Sequence, residues 1–237
     1  MTVWRAIGIA ATGLLLVACS SSPRESGESG PEPTSTAPSP APESSPPSAS
    51  SGSAADTASP DAGPEPSDGR PRRATLTIRK LGIDDLVVVP YRGRTDDAPG
   101  TEIQDRGLAA SPFGPEGGVG PGGIGNYQVT AHRLSSTQAF VDLPRLRRGD
   151  RVVVEVGERR YVYEITATRR TSFRSPASLR AQRAAVPGWP GAEPTRAMIT
   201  LSTCATQEDH AAGNYWADEL DNPEHRIDKI GVLVSSS

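Results

Sequence analysis

Residues 20–70 contain no Val, Ile, Leu, Met, Phe, Tyr, Trp or Cys. A segment without such side chains has nothing to offset the entropy of ordering its backbone, so it does not fold alone. Aromatics make up only 5% of the 237 residues, and the chain has two cysteines and three histidines. So few donors leave a four-ligand structural zinc site without its usual partners. Long apolar runs are missing as well. The uncharged stretch Ala6 to Ala18 is the most apolar one, and it is too short for a hydrocarbon core, which takes roughly 20 residues. No repeat of 20 to 50 residues is visible.

Charge is unevenly spread. The net value of −3 hides eight acidic residues against Arg24 and Arg70 within 20–70, which leaves the rest of the chain mildly basic. No concentrated basic face emerges, so nucleic acid is not an expected partner. Without the leader and the polar segment, about 165 residues remain from Arg72 onward. That suffices for one domain with a real core and excludes a second large one.

Arg5 followed by the apolar stretch reads as an export signal. Leu16-Val17-Ala18-Cys19 resembles a bacterial lipobox, which implies cleavage before Cys19, a diacylglyceryl group on its sulfur and anchoring to the membrane. The other reading is a signal processed differently, with Cys19 incidental and the protein still exported. The expected organisation is a signal peptide at 1–18, a disordered Pro/Ser/Ala-rich linker at 19–72 and a folded domain at 73–237. As a coil the linker reaches roughly 40 Å, and up to about 160 Å stretched. With Cys19 lipidated, Cys204 has no disulfide partner. A lone thiol in an exposed compartment is open to oxidation, so it is either a buried inert residue or a functional one.

Strand-like runs cover 74–79, 86–91, 127–131, 151–156, 161–168, 197–203 and 230–234, separated by turn signals such as Gly149-Asp150 and Gly157-Glu158. Two short helices are expected, at 137–147, where Phe140, Leu143 and Leu146 share a face, and at 177–184. Seven or eight short strands in one domain predict an all-β sandwich or closed barrel. The glycines between 117 and 125 follow no Rossmann-type strand and lack a P-loop Lys, so they read as a flexible connection.

Three features sit at strand ends: His132 after Val129-Thr130-Ala131, Cys204 after Ile199-Thr200-Leu201-Ser202-Thr203, and Arg226 before the last strand. A thiol is a nucleophile as thiolate, favoured by an imidazole or a cation. Imidazole can protonate a leaving amine and deprotonate an incoming one. A guanidinium can donate hydrogen bonds to an oxyanion. Together they make an acyl-transfer site.

The order His, then Cys ending a Thr-Leu-Ser-Thr-Cys strand, then Arg resembles the sortase family. Gly125-Asn126 leading to Ala131-His132-Arg133, and Phe140-x-x-Leu143-x-x-Leu146-x-x-Gly149-Asp150, are similar to the class E housekeeping sortases of actinobacteria. The resemblance implies an eight-stranded sortase β-barrel with one or two short helices, preceded by the disordered stalk. It also implies a thiol transpeptidase that cleaves a C-terminal sorting signal between Thr and Gly, carries the acyl group on Cys204 and passes it to an amine of a peptidoglycan precursor. His132 is then the general acid/base, Arg226 the oxyanion or carbonyl stabiliser, and Thr203 a substrate-positioning residue or oxyanion donor. No cofactor or metal is implied, and the expected place is the extracytoplasmic membrane face.

The sequence departs from that pattern in three places. A lipobox stands where class E members usually carry a membrane-spanning anchor. The interval between Cys204 and Arg226 is long and holds Gln207, Glu208, Asp209, His210, Tyr215, Trp216 and Glu219. Phe113 is the nearest aromatic to the place where class E members often have a substrate-binding Tyr. His225 is expected to be a groove or surface residue and Glu208-Asp209 a solvated loop face, with contact to a substrate amine or Ca²⁺ as the other reading. Tyr215-Trp216 is expected to anchor its loop. Two other functions stay open: a different cell-wall thiol transpeptidase, or a catalytically idle sortase-like lipoprotein that binds wall peptides.

Overall fold

The computed structural model describes residues 63–237. The signal at 1–18, Cys19 and the linker as far as residue 62 lie outside the described residues. Alternation sets the first strand: in β1 (Ala74–Ile78), Ala74, Leu76 and Ile78 point inward and the threonines between them are half-exposed. The β-branched run then gives β2 (Ile83–Arg92). A helix, α1 (Ala98–Asp105), leads to β3 (Ala109–Phe113) and β4 (Gly125–Thr130). The hairpin predicted at Gly157 joins β5 (Arg151–Val156) to β6 (Arg159–Ser172). After α2 (Pro176–Arg183) come β7 (Ala197–Cys204), α3 (Thr206–Ala211) and β8 (His225–Ser236).

The eight strands close in the order β1-β2-β3-β4-β7-β8-β6-β5, with β5 returning to β1. Two neighbouring pairs are parallel, β2 with β3 and β4 with β7. Closure removes exposed strand edges and leaves one apolar interior, filled by Leu76, Val129, Phe140, Tyr163, Ile199 and Leu201 among others.

The sequence reading had no counterpart for α1, β3 and α3, and two further segments differ from it. The helix expected over 137–147 is a series of turns with a single 3-10 turn at Leu143–Arg145. Pro144 cannot donate a backbone hydrogen bond, and apolar residues spaced by three suit 3-10 turns as well as a helix. Phe140, Leu143 and Leu146 are nevertheless fully buried. Lys229 secures the segment from inside, its Nζ donating to Pro144 O at 3.0 Å, Leu146 O at 2.8 Å and Thr168 Oγ1 at 3.0 Å.

The glycine-rich connection is a close-packed one. A Cβ on Gly120 would lie 1.9 Å from the Arg70 carbonyl oxygen, and one on Gly118 would lie 2.2 Å from that of Asn126. The backbone of residues 67–69 is docked there, with Ser67 N donating to Gly122 O at 2.8 Å and Gly120 N to Gly69 O at 2.7 Å. Contact with the barrel thus begins a few residues before Arg73.

Candidate active site

The register of three strands brings the predicted residues together. β4 and β7 run parallel with Val129 beside Leu201 and Thr130 beside Ser202. Two residues further along each chain, His132 and Cys204 leave the barrel at the same level. Thr203, buried, fixes this alignment: its Oγ1 donates to Ala131 O at 2.8 Å, and Ala131 N donates to Ser202 O at 3.3 Å. β7 and β8 are antiparallel, with Cys204 paired directly to Arg226. β8 begins at His225, earlier than the predicted 230, and this extension places Arg226 on the strand rather than in the preceding loop.

Cys204 is a free, half-buried cysteine. Burial pushes its thiol up, and Asp96 and Asp218 add to this, while the guanidinium groups of Arg226 and Arg133 pull it down; the net direction is upward. Arg226 is fully buried. Its Nε donates to Asp96 Oδ1 at 3.1 Å, its Nη1 to Pro223 O at 3.2 Å and His225 O at 3.3 Å. The Phe173 ring stacks on the guanidinium at 4.2 Å. Burial opposes the charge, but Asp96 and Cys204 favour it, and the pKa stands above the ordinary arginine value. Arg226 Nη2 and Asp96 Oδ2 are buried without a hydrogen-bond partner. The His132 ring is mostly buried, and its Nε2 lies 2.8 Å from Asp105 Oδ1, a carboxylate at the end of α1.

The long β7–β8 connection is tied to this site. Arg133, next to His132, is buried and grips α3 as a fork: Nη2 donates to Gln207 Oε1 and to Glu208 Oε1, both at 3.0 Å, while Nη1 reaches Glu208 Oε2 and the Cys204 carbonyl. Asp209 is buried, accepting from His225 N at 2.9 Å, meeting His225 Nδ1 at 2.8 Å and pairing with Arg170. Burial raises the Asp209 pKa, but these bonds outweigh it and the net direction is down. Glu208-Asp209 is therefore a clamp with Asp209 buried, not the solvated face expected, because the groups that receive it come from β6, β8 and the segment after β4. His225 is partly exposed and engaged by Asp209 through Nδ1. His210 stacks on Tyr215, which is 72% exposed, so this tyrosine is a surface residue and not an anchor. Among the described residues no cluster of His, Cys, Asp or Glu is arranged to hold a metal ion.

A groove of about 860 Å³ borders the arginine's partners, lined by Asp96, Phe173, Leu179, Arg183, Trp216 and Leu220 among others. Phe113 lines an adjacent depression with Arg92 and Glu116; Arg94 and Asp97 belong to both. The structure thus brings His132, Thr203, Cys204 and Arg226 together and sets Phe113 beside the groove. Sequence reasoning missed Asp96, Asp105, Arg133 and Phe173. Asp97-Ala98-Pro99 is a helix-start signature that marks α1, and Asp97 caps it by accepting from Gly100 N at 3.0 Å. Nothing local marks Asp96 as a partner of residue 226.

Solved structures with this barrel include a SrtA sortase from Actinomyces oris, at 18% identity and TM-score 0.53, covering 73% of this chain and 89% of that one. Sortase E from Streptomyces avermitilis is 24% identical, TM-score 0.50, with 71% and 91% covered. Sortase E1 from Streptomyces coelicolor, solved with a tripeptide in its active site, is 22% identical, TM-score 0.50, with 73% and 93% covered. Likeness at these identities speaks to fold alone. No curated protein sequence matches. The family model of the sortase domain matches residues 76–217, which takes in His132 and Cys204 and stops short of Arg226. With more than half of its length matched and the arginine supplied by the β7–β8 register, this chain belongs to the sortase family of cysteine transpeptidases.

Proposed function

We propose that the protein is a lipid-anchored, class E-like sortase of the extracytoplasmic membrane face. It cleaves a C-terminal sorting signal between Thr and Gly and transfers the new carboxyl end to an amine of a peptidoglycan precursor. The observation that carries this reading is the Cys204–Arg226 pair: a thiol directly across the ladder from a buried guanidinium that keeps one N–H group unbonded.

His132 takes the Cys204 proton as the sulfur attacks the Thr carbonyl carbon. The C–S bond forms as the carbonyl π electrons move onto oxygen, and the oxyanion accepts from the buried Arg226 Nη2. The imidazolium passes its proton to the Gly nitrogen as the C–N bond breaks, leaving a thioester. An amine then attacks the thioester, His132 removes its proton, and sulfur departs to be reprotonated. With Nε2 engaged by Asp105, Nδ1 is the nitrogen that serves the sulfur. Thr203 acts through the strand that carries His132, and Phe113 borders the peptide's route. Anchoring through Cys19 places the domain within linker reach of wall precursors.

Full-length protein in detergent, given a panel of Leu-x-x-Thr-Gly peptides with and without triglycine, should yield ligated product for at least one peptide and lose it on alkylation of Cys204. Absence of cleavage across the panel, or cleavage that survives alkylation, overturns the reading. In cells, Cys19→Ser should release the domain from the membrane fraction.

A further inference from the structure

Asp96 sits at φ 63°, in the left-handed region that aspartate enters more readily than most side-chain-bearing residues do. Its carboxylate is 7% exposed, and one oxygen has no partner. The obvious way to satisfy both that oxygen and the Arg226 Nη2 is with each other, in a side-on carboxylate–guanidinium pair. The structure instead uses one bond, Nε to Oδ1, and leaves a buried donor and a buried acceptor free on the two linked residues. Unsatisfied buried polar groups are costly, and each calls for an explanation.

The turn is held in this arrangement from both sides. Thr95, buried, donates from Oγ1 to Gln182 Oε1 at 3.0 Å, and the Arg183 Nε donates to Thr95 Oγ1 at 3.2 Å. Gln182 Nε2 in turn donates to Asp228 Oδ1 at 2.9 Å, on β8 two residues past Arg226. On the other side Asp97 fastens the start of α1 and accepts from Arg94 N at 3.0 Å. These bonds fix the backbone of the turn on either side of Asp96.

A free guanidinium NH2 on one residue and a free carboxylate oxygen on its bonded partner complement a peptide group, which offers a carbonyl oxygen and an N–H. We infer that Asp96 is a substrate-binding residue: its Oδ2 accepts a backbone N–H of the sorting peptide while Arg226 Nη2 donates to a carbonyl of the same peptide. Asp96 lines the groove, and both free atoms are shielded in the resting protein, so the peptide reaches them only as the groove wall yields. This inference rests on the sortase reading above.

The test pairs a change in the enzyme with a change in the peptide. In a cleaved peptide, each backbone N–H of the motif other than that of the scissile bond is replaced in turn by an ester oxygen, and kcat/KM is measured for wild-type protein and for Asp96→Asn. The asparagine preserves an oxygen for Arg226 Nε but can turn a donor toward the peptide. The expected result is that one ester costs wild type roughly tenfold or more, the order of a charge-assisted hydrogen bond, and costs Asp96→Asn less than about twofold. KM for the triglycine acceptor should stay unchanged. Equal ester penalties in both proteins, or an effect confined to the KM of the acceptor amine, overturns the inference. Faster turnover by Asp96→Asn also overturns it, since Asp96 would then obstruct the site. If wild type cleaves no peptide at all, the sortase reading falls with it. The ester series in wild type needs no variant to fold, and a series without any sensitive position overturns the inference by itself.

Discussion

The barrel's interior and its Cys204 end are both buried, but they are made of different material. The interior is filled by Leu76, Phe140, Tyr163, Ile199 and similar side chains whose packing is non-directional and whose loss leaves only a cavity. The Cys204 end buries Arg133, Asp209, Arg226 and Asp228, and each needs partners at fixed angles because an unpaired buried polar group is costly. The apolar region supplies stability and takes no part in the chemistry. The polar region gives up stability to hold charges where an acyl-transfer site needs them, and its unpaired atoms fall on Arg133, Arg226 and Asp96 as well as on a few barrel residues.

Substitutions in the two regions should accordingly separate activity from stability. Cys204→Ala should reduce acyl-enzyme formation to background, read by mass spectrometry, with the melting temperature unchanged or raised because a polarisable thiol near Asp96 is removed. Arg226→Lys should lower kcat/KM by about 10²–10³, the usual cost of losing an oxyanion donor, because an ammonium on a flexible stem cannot reproduce the guanidinium fork; wild-type turnover would remove Arg226 from the chemistry. Leu76→Ala, on β1, should do the reverse, lowering stability by about 2–5 kcal/mol in denaturant unfolding with acylation per folded molecule held within about twofold.

The smallest effect concerns pH. Asp228 is fully buried, and burial raises its pKa despite hydrogen bonds from Ser202, Thr171 and Gln182. A carboxyl whose folded pKa is raised stabilises the fold below its unfolded pKa and loses that contribution as pH rises through the folded value. Asp228→Asn should thus melt with wild type near pH 3 and gain on it as pH climbs above about 4, the ordinary aspartate value. A gap of about 2–4 °C corresponds to 1 kcal/mol in a domain of this size. A constant gap across that range would mean that the folded pKa of Asp228 is not raised above the unfolded one.

Legibility followed the same division. Strands with alternating or β-branched residues, such as Ala74–Ile78 and Arg151–Val156, were readable because burial of one face imposes a period of two. β3, with the sequence Ala-Ala-Ser-Pro-Phe, was not, since its small residues are buried by neighbouring strands and carry no pattern of their own. The helix read at 137–147 had the right burial and the wrong backbone, because spacing by three fits either conformation and Pro144 settled it. His132 and Cys204 were visible through their strand-end contexts. Asp96, Arg133 and Asp209 were not, because a charged residue in a loop looks solvated until its partner, as far away as position 226 or 170, is known.

The strands with a two-residue period and the identity of the groups able to move protons and acyl chains were decided by the sequence itself, since residue type and local period carry that information. Which charges are buried, which nitrogen and oxygen go unpaired, and the level at which His132 meets Cys204 were decided only by tertiary structure. Those properties depend on register between strands distant in the chain, and register is set by the packing of the whole barrel rather than by any segment within it.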